Sequence, residues 1–197
     1  MLTGGDAEAQ CPRVHLLDLL GQIRPWDEQE LRHRDLAADW LRSGAPLYRV
    51  RDDEPPMHLV SYFLVLDEAT GTLLLVEHRK ASLLLPAGGH VEAGEDPWST
   101  VVRECREELF LDAVPSTATG ARPFFITATR TRGRLPHTDV SLWYVLRADA
   151  ETITVYDERE FTGIRWLTPQ QVFNEPLEGC DPHLHRACRK LLAARTS

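Results

Sequence analysis

The sequence predicts an α/β fold in which helices cover a mixed β-sheet, with a pair of additional helices at the N-terminal end. Before residue 50, apolar residues recur at the three- and four-residue spacing of an amphipathic helix. From Met57 onward, short apolar runs separated by turn residues replace that pattern, and helical segments interrupt and follow them. We therefore divide the 197 residues into an N-terminal helical extension, residues 1–50, and a main domain, residues 51–197.

The extension contains two predicted helices, residues 14–23 and residues 27–43, after a tail of about a dozen residues. Proline separates the two helices, and Gly44 ends the second. Each helix has an apolar face, formed by Leu16, Leu20 and Ile23 in the first and by Leu36, Trp40 and Leu41 in the second. These faces require a partner surface, either the main domain, which is the commoner outcome, or a second subunit in a homodimer.

The main domain is predicted to begin with a hairpin, because residues 58–66 and 71–79 flank the turn-rich segment DEATG. Further strands are predicted at residues 122–131, 138–148, 151–155 and 161–167. A helix with Thr168 as its N-cap and a last helix capped by Asp181 complete the domain.

Composition and charge exclude several classes of function. The net charge of −8, without a block of Lys or Arg, argues against binding to duplex nucleic acid, whose phosphates require many basic groups. The longest apolar segments are too short to cross a membrane, and the first residues lack the pattern of a signal peptide. Four cysteines in a chain of this length fit scattered thiols better than a disulfide framework. We therefore expect a cytoplasmic protein.

Two of those cysteines, Cys180 and Cys188, flank His183 and His185 in the pattern C-x2-H-x-H-x2-C. All four side chains are good zinc ligands, but their spacing fits no common zinc motif. The same segment has the pattern of a capped helix, on which these side chains do not converge. An ordinary helix is therefore the favoured interpretation, and zinc is the minor alternative.

The strongest chemical pattern is PAGGHVEAGEDPWSTVVRECREELFL, residues 86–111. Asp96 starts a predicted helix on which Glu104, Glu107 and Glu108 stand at i, i+3 and i+4 and so project from one face. Like charges at this spacing destabilise a helix by roughly 0.2–0.5 kcal/mol per pair, and a divalent cation offsets that repulsion. An exposed acidic face is the alternative. The glycine-rich loop before the helix favours the cation, because its backbone can approach a diphosphate closely.

This stretch resembles the signature of the Nudix hydrolases, G-x5-E-x7-R-E-U-x-E-E-x-G-U, in which U is aliphatic. Gly89 occupies the first position and Glu95 the second, and the others follow at the same spacing as far as Leu111. Two positions depart from it: Cys105 replaces an aliphatic residue, and Phe110 replaces the final glycine. That glycine normally ends the helix in a left-handed conformation, which costs roughly 1–2 kcal/mol for Phe. Either the strain is tolerated or the helix ends elsewhere.

The resemblance implies a Nudix-like α/β/α sandwich and a hydrolase that depends on Mg²⁺ or Mn²⁺. The implied reaction is cleavage of the diphosphate bond in a nucleoside diphosphate derivative, by attack of a metal-activated water. A nucleoside triphosphate or a related nucleotide is the favoured substrate. By position in the signature, the metal ligands are Glu104, Glu107, Glu108 and the carbonyl of Gly88. Glu95 and Arg103 are expected to hold the loop against the helix.

The catalytic base is expected among the acids before the strand at residues 161–167. The segment offers Asp157, Glu158 and Glu160, and we choose Glu160, because in relatives an acid shortly before this strand commonly faces the site. An exposed acidic turn is the alternative interpretation. In some relatives a signature glutamate is the base instead, so the catalytic candidates also include Glu107 and Glu108.

Substrate contacts are predicted from residues near the glycine-rich loop. His90 lies within the loop and Arg79 precedes it, and both are expected to meet the diphosphate. His137 and Asp139 precede a predicted strand. They either meet a ligand or form a turn with an Asx-type hydrogen bond, and we favour the turn.

Two other functions compete with hydrolysis. The first is a non-catalytic, nucleotide-sensing protein with a Nudix fold, which the complete set of acids argues against. The second is an isoprenoid-type diphosphate isomerase, which shares the fold. That reaction needs a catalytic cysteine, and neither Cys180 nor Cys188 stands where one is expected.

Overall fold

A mixed β-sheet forms the centre of the computed structural model, which describes residues 12–51, 54–132 and 135–195. Its strands are β1 (Met57–Leu66), β2 (Leu73–His78), β3 (Leu83–Leu85), β4 (Ala87–His90), β5 (Phe125–Arg130), β6 (Thr138–Arg147) and β7 (Phe161–Leu167). The order across the sheet is β3-β2-β1-β6-β5, with β4 also paired to β1 and β7 to β2. β1 and β6 run parallel, and the other pairs are antiparallel.

Helices pack on both faces of this sheet. They are α1 (Pro12–Gln22), α2 (Glu28–Arg42), α3 (Pro97–Leu109), α4 (Pro169–Asn174) and α5 (Leu184–Arg195). Local sequence sets where they begin. Asp27 caps α2 by accepting a hydrogen bond from the backbone N–H of Glu30. Thr168 and Gln171 form a capping box at α4, so the predicted start of that helix is confirmed.

The sheet separates two hydrophobic layers. Leu59, Phe63 and Val65 of β1 belong to the layer that contains α1, α2 and α3. Leu64 and Leu66 of the same strand belong to the layer that contains α4 and α5. Alternate residues of a strand point to opposite faces, so one continuous apolar run serves both layers. The α/β/α sandwich with a mixed sheet is therefore confirmed.

The N-terminal helices pack on the sheet of their own chain. Leu20 of α1 and Trp40 and Leu41 of α2 belong to the same hydrophobic cluster as β1. Leu36 was predicted to share the buried face with Trp40, but its side chain is 43% exposed and Ala37 is buried instead. Self-association through these helices, and the boundary at residue 50, stay predictions.

Two ion pairs join the start of α2 to α5. Asp27 Oδ1 lies 2.5 Å from Arg186 Nη2, and Glu30 Oε1 lies 2.6 Å from Lys190 Nζ. Glu30 is completely buried. Charged groups therefore tie the extension to the last helix of the main domain, in addition to the apolar contacts with the sheet.

Three parts of the secondary structure differ from the sequence prediction. Residues 151–155 do not form a strand, because Asp149 accepts a hydrogen bond from the Glu151 N–H and closes a 3-10 turn at Ala150–Thr152. The short strands β3 and β4 are additions, and β4 is the glycine-rich segment itself, which pairs with β1. α5 begins at Leu184, after a turn in which Asp181 accepts a hydrogen bond from the His183 N–H.

The composition predicted free thiols and apolar segments too short to cross a membrane, and the described residues agree with both predictions. Cys105, Cys180 and Cys188 are buried free thiols. Cys11 and the predicted N-terminal tail lie outside the described residues. Within the described part of the chain, every helix is too short or too polar to cross a bilayer.

Candidate active site

Helix α3 positions the predicted acids. Asp96 caps it by accepting hydrogen bonds from the backbone N–H groups of Trp98 and Ser99, at 3.0 and 3.2 Å. Its apolar stripe, which includes Val101 and Leu109, faces the core. The acids that follow the stripe consequently lie along the side of the helix that faces β4.

Strand β4 passes close to its neighbours at two successive glycines, the first against backbone and the second against a side chain. Gly88 has a φ of +129°, and a Cβ atom there would overlap the backbone oxygen of Ser61. A Cβ atom on Gly89 would overlap the carboxylate of Glu104. The N–H of Gly88 also donates a hydrogen bond of 2.8 Å to Oε2 of Glu108. Glycine therefore brings the backbone directly against two of the three predicted metal ligands.

Arg103 links the loop after β4 to helix α3. Its guanidinium donates to both carboxylate oxygens of Glu95, at 3.0 and 3.1 Å, and to the backbone carbonyl of His90 at 3.2 Å. It also donates to Glu104 at 2.7 Å and to Glu107 at 3.2 Å. These contacts raise the pKa of Arg103 above its usual value, with the hydrogen bonds that it donates to Glu95 as the largest cause. Arg103 thus stays charged and orients two acids at once.

The acids of α3 form a crowded negative cluster. Burial raises the pKa of Glu108 well above its ordinary value, and the charges of Glu104, Glu160 and Glu107 raise it further. Burial also raises the pKa of Glu104, although Arg103 opposes that increase. Glu107 is more accessible, with 61% of its side chain exposed. Buried carboxylates in mutual repulsion form a site that gains stability from a cation.

The acids before β7 have three different environments. The carboxylate of Asp157 is engaged by the guanidinium of Arg159, with a shortest distance of 2.6 Å, which lowers the pKa of Asp157. Glu158 accepts a hydrogen bond from Arg79 through its backbone carbonyl. Of the three acids, Glu160 lines the cavity beside α3. The negative charge of Glu160 raises the pKa of both Glu104 and Glu108.

A cavity of about 1960 Å³ lies beside the acids of α3, and Glu107 is not part of its wall. Glu104, Glu108 and the glycines of β4 form part of its wall. Basic side chains also line it: Arg79, Lys80, Arg103, Arg130, Arg132 and Arg159. A cavity lined by both carboxylates and guanidinium groups suits a ligand that carries both a cation-binding phosphate and further anionic groups.

The two predicted substrate contacts both line the cavity, but their bonding differs. The guanidinium of Arg79 donates to the carbonyls of Glu158 and Phe161, at 3.0 and 3.2 Å, so it also fixes the segment before β7. The Nε2 atom of His90 is buried and has no hydrogen-bond partner. It lies 3.6 Å from Oδ1 of Asp139.

The preference for a turn at His137 and Asp139 was wrong. Asp139 lies within β6, and its buried Oδ1 accepts no hydrogen bond. His137 Nε2 lies 3.3 Å from that oxygen, and the rings of His58 and His137 are 4.5 Å apart. Sequence reasoning missed His58, because a histidine within an apolar strand gives no signal until its partners on other strands are known.

Phe110 occupies the left-handed conformation expected of the glycine it replaces. Helix α3 ends at Leu109, and Phe110 follows with φ 54° and ψ 34°. Its side chain is 59% exposed. The first alternative, a tolerated strain at an unshifted helix end, is therefore the one that the structure adopts.

Comparison with known proteins assigns most of the chain to one family. Residues 57–188 match the NUDIX domain. No curated protein matches the chain.

Solved structures share the fold at low sequence identity. A MutT protein from Methanosarcina mazei Go1 is 16% identical with a TM-score of 0.55, over 73% of this chain and 99% of that one. A NUDIX family hydrolase from Clostridium perfringens is 20% identical with a TM-score of 0.51, over 68% and 95%. The E. coli dihydroneopterin triphosphate pyrophosphohydrolase is 15% identical with a TM-score of 0.53, over 74% and 97%. At these identities the likeness concerns the fold alone.

Proposed function

This chain belongs to the NUDIX domain family, and on that premise we propose that it hydrolyses a diphosphate bond in a nucleoside diphosphate derivative. A nucleoside triphosphate or a related nucleotide is the favoured substrate. One observation carries the proposal: the partly buried Glu104 and the buried Glu108 lie against the glycine backbone of β4, within a cavity that also holds Glu160. A binding protein for an anion gains nothing from burying these acids, because they repel the ligand unless a cation lies between them.

The residues of this site fit Mg²⁺ or Mn²⁺. Glu104, Glu107, Glu108 and the carbonyl of Gly88 would hold the ion, and hard oxygen ligands of this kind suit both metals. Burial raises the pKa of Glu108, so its negative charge is unfavourable there unless a cation lies beside it. When bound, the ion neutralises charge on the diphosphate and makes a water more acidic.

The chain's own residues position the reaction. Arg103 holds the Glu104 carboxylate and ties α3 to the loop after β4. The N–H of Gly88 fixes Glu108. Glu160 is proposed as the general base. It takes a proton from the attacking water while the oxygen of that water bonds to phosphorus and the bond from phosphorus to the departing phosphate breaks. His90 is proposed to contact the diphosphate, and Arg79 to do so while it anchors the segment before β7.

The proposed setting is the cytoplasm, with a small nucleotide and no duplex nucleic acid as the partner. Free thiols at Cys105, Cys180 and Cys188 fit a reducing compartment. The net charge of −8 disfavours a long polyanion but permits one nucleotide that binds through a cation.

The test is hydrolysis of a panel of nucleoside diphosphate derivatives by the purified full chain with Mg²⁺, following release of phosphate or nucleoside monophosphate. Glu108→Gln keeps the size of the side chain and an acceptor for the Gly88 N–H, and it should lower kcat by roughly 100-fold or more. Glu92→Gln is the control, because that side chain is exposed. Nucleotide binding without turnover in the wild type would overturn the proposal in favour of a sensor.

Glu160→Gln tests the base separately. It should lower kcat by roughly 100-fold with little change in KM, and Glu158→Gln should leave kcat unchanged. Equal activity of Glu160→Gln and the wild type would remove Glu160 from the mechanism and leave a signature glutamate, Glu107 or Glu108, as the base.

A further inference from the structure

A second cluster of metal-ligand side chains lies beside the α3 acids but on different elements. It comprises His58, His90, His137 and Asp139, one ligand atom of each lying within 4.8 Å of all the others. Sheet pairing brings them together. The parallel pairing of β1 and β6 puts His58 directly opposite Asp139. The antiparallel pairing of β1 and β4 puts His90 opposite Val60, two residues along β1 from His58.

Several polar atoms of this cluster are buried without hydrogen-bond partners at normal geometry. They are Nδ1 and Nε2 of His58, Nε2 of His90 and Oδ1 of Asp139. His58 is completely buried. Buried polar groups in folded proteins are almost always paired, so unpaired atoms on three side chains of one cluster need an explanation. Hydrogen bonds within the cluster do not supply it, because the 3.6 Å and 3.3 Å contacts of His90 and His137 with Asp139 leave Oδ1 unsatisfied.

We propose that His58, His90, His137 and Asp139 bind one Zn²⁺ ion, at a site distinct from the carboxylates of α3. Three imidazoles and one carboxylate suit zinc and related transition metals, whereas Mg²⁺ prefers oxygen ligands alone. In a tetrahedral zinc site the ligand atoms lie about 3.3–3.5 Å apart, given bonds of about 2.0–2.2 Å. The ligand atoms of the cluster lie within 4.8 Å of one another, so binding of the ion would draw them closer together.

His137 is already oriented for this role. A contact of 3.2 Å joins its Nδ1 to the backbone carbonyl of Leu135, and since a carbonyl can only accept, Nδ1 carries the proton. In the neutral form of this ring, Nε2 faces Asp139 with its lone pair. Zinc-binding histidines are commonly held by a hydrogen bond of this kind from the other ring nitrogen.

The other zinc candidate in the sequence lacks this geometry. Cys180 and Cys188 lie in the hydrophobic layer between the sheet and α5. His183 Nδ1 is 2.9 Å from the guanidinium of Arg186, and the His185 ring packs against Phe173. These side chains have separate environments and do not form a convergent group.

Four protein ligands make this a closed, structural type of zinc site. His90 would bind the ion through Nε2, which faces Asp139, and keep Nδ1 for the proposed contact with the diphosphate. The ion joins β1, β4 and β6 together with the segment before β6. His90 follows Gly88 by two residues on β4, so the ion also fixes the strand that presents its backbone to Glu104 and Glu108. The predicted effect is stabilisation of the fold around the cavity, because a metal that binds only the folded chain adds its binding free energy to stability.

The test loads the purified full chain with Zn²⁺, removes free metal by desalting, and measures retained zinc by elemental analysis. The wild type should retain about one ion per chain and unfold at a higher temperature than the metal-free protein. Replacement by Co²⁺ should give the intense visible absorption of tetrahedral nitrogen coordination, unlike the weak absorption of an all-oxygen site. His58→Gln and His137→Gln should lose the retained zinc, the absorption and the rise in unfolding temperature.

Two controls locate the ion. His185→Gln should retain zinc, because it alters only the cysteine-histidine segment of α5. Glu108→Gln should also retain zinc, because it alters only the α3 acids. If the fully buried His58→Gln fails to fold, His137→Gln decides, since its side chain borders the cavity. Absence of retained zinc in the wild type, or undiminished zinc in folded His137→Gln, would overturn the proposal.

Discussion

Gly89 and Glu104 lie in such close contact that a Cβ atom at position 89 would overlap the Glu104 carboxylate unless that carboxylate moved. Arg103 holds the same carboxylate at 2.7 Å. A methyl group at position 89 must therefore push a proposed metal ligand out of place. We expect Gly89→Ala to lower kcat by roughly 100-fold and to change the free energy of unfolding by less than about 1 kcal/mol. Steady-state kinetics and urea unfolding measure the two effects.

Two other glycines separate the loss of activity from a loss of folding. Gly88→Ala meets the backbone of Ser61 at a positive φ, so it should destabilise the fold by roughly 2 kcal/mol or more. Gly179→Ala has open space around it and should change neither quantity. A Gly89→Ala variant with wild-type kcat would show that the position of Glu104 is unimportant for turnover.

Phe110→Gly should stabilise the protein. Phe110 is held at φ 54° and is mostly exposed, so glycine relieves strain of roughly 1–2 kcal/mol and loses little packing. The greater freedom of glycine in the unfolded chain cancels roughly 0.5–1 kcal/mol of that gain. The net expectation is an increase of about 0.5–1 kcal/mol in unfolding free energy, with unchanged kcat. Ser82, also at φ 54°, provides a matched comparison through Ser82→Gly. Destabilisation of Phe110→Gly would reveal a packing role for the ring.

Replacing one member of the buried pair Glu30–Lys190 should lower the free energy of unfolding much more than replacing both. Burial raises the pKa of Glu30 and lowers that of Lys190, so each charge depends on the other. Glu30→Ala alone should cost about 3–5 kcal/mol, because it leaves a buried ammonium group without its partner. The double variant Glu30→Met with Lys190→Met should cost much less. Glu28→Ala, at an exposed pair with Arg32, should cost less than about 1 kcal/mol. Additive losses in a double-mutant cycle would contradict this coupling.

Asp27 should make the fold sensitive to strong acid. The hydrogen bonds from Arg186 are the largest cause that lowers the pKa of Asp27 from 3.8 to about 2. Since the folded chain binds this proton less tightly than the unfolded chain, the interaction stabilises the fold above about pH 4 and is lost as the pH falls toward about 2. Asp27→Asn should therefore flatten the dependence of unfolding free energy on pH across that window, as measured by urea unfolding. Asp39→Asn, on an exposed side chain of the same helix, controls for loss of one negative charge. Parallel curves for the wild type and Asp27→Asn would contradict the assigned pKa.

The parts of the site that could be predicted from sequence depend on residues that lie close together in the chain. Glu104, Glu107 and Glu108 share one helix, so helical spacing alone predicts that they project together, and Asp96 marks where that helix begins. The conformation of the glycine-rich segment was harder to predict from the sequence. It was predicted as a loop and is in fact strand β4, because a strand of two glycines is recognisable only from its pairing with β1.

Sequence alone predicts helix α3 with its acids, the capped starts of α3 and α4, and the family to which the chain belongs. These depend on residues within a few positions of one another, where side-chain spacing and hydrogen bonding to the nearby backbone decide the conformation. Only the tertiary structure decided that His58 meets Asp139, since their contact depends on the parallel pairing of two strands far apart in the chain. It also decided that Glu108 is buried against Gly88, because desolvation depends on everything that packs around a carboxylate and not on its neighbours in sequence.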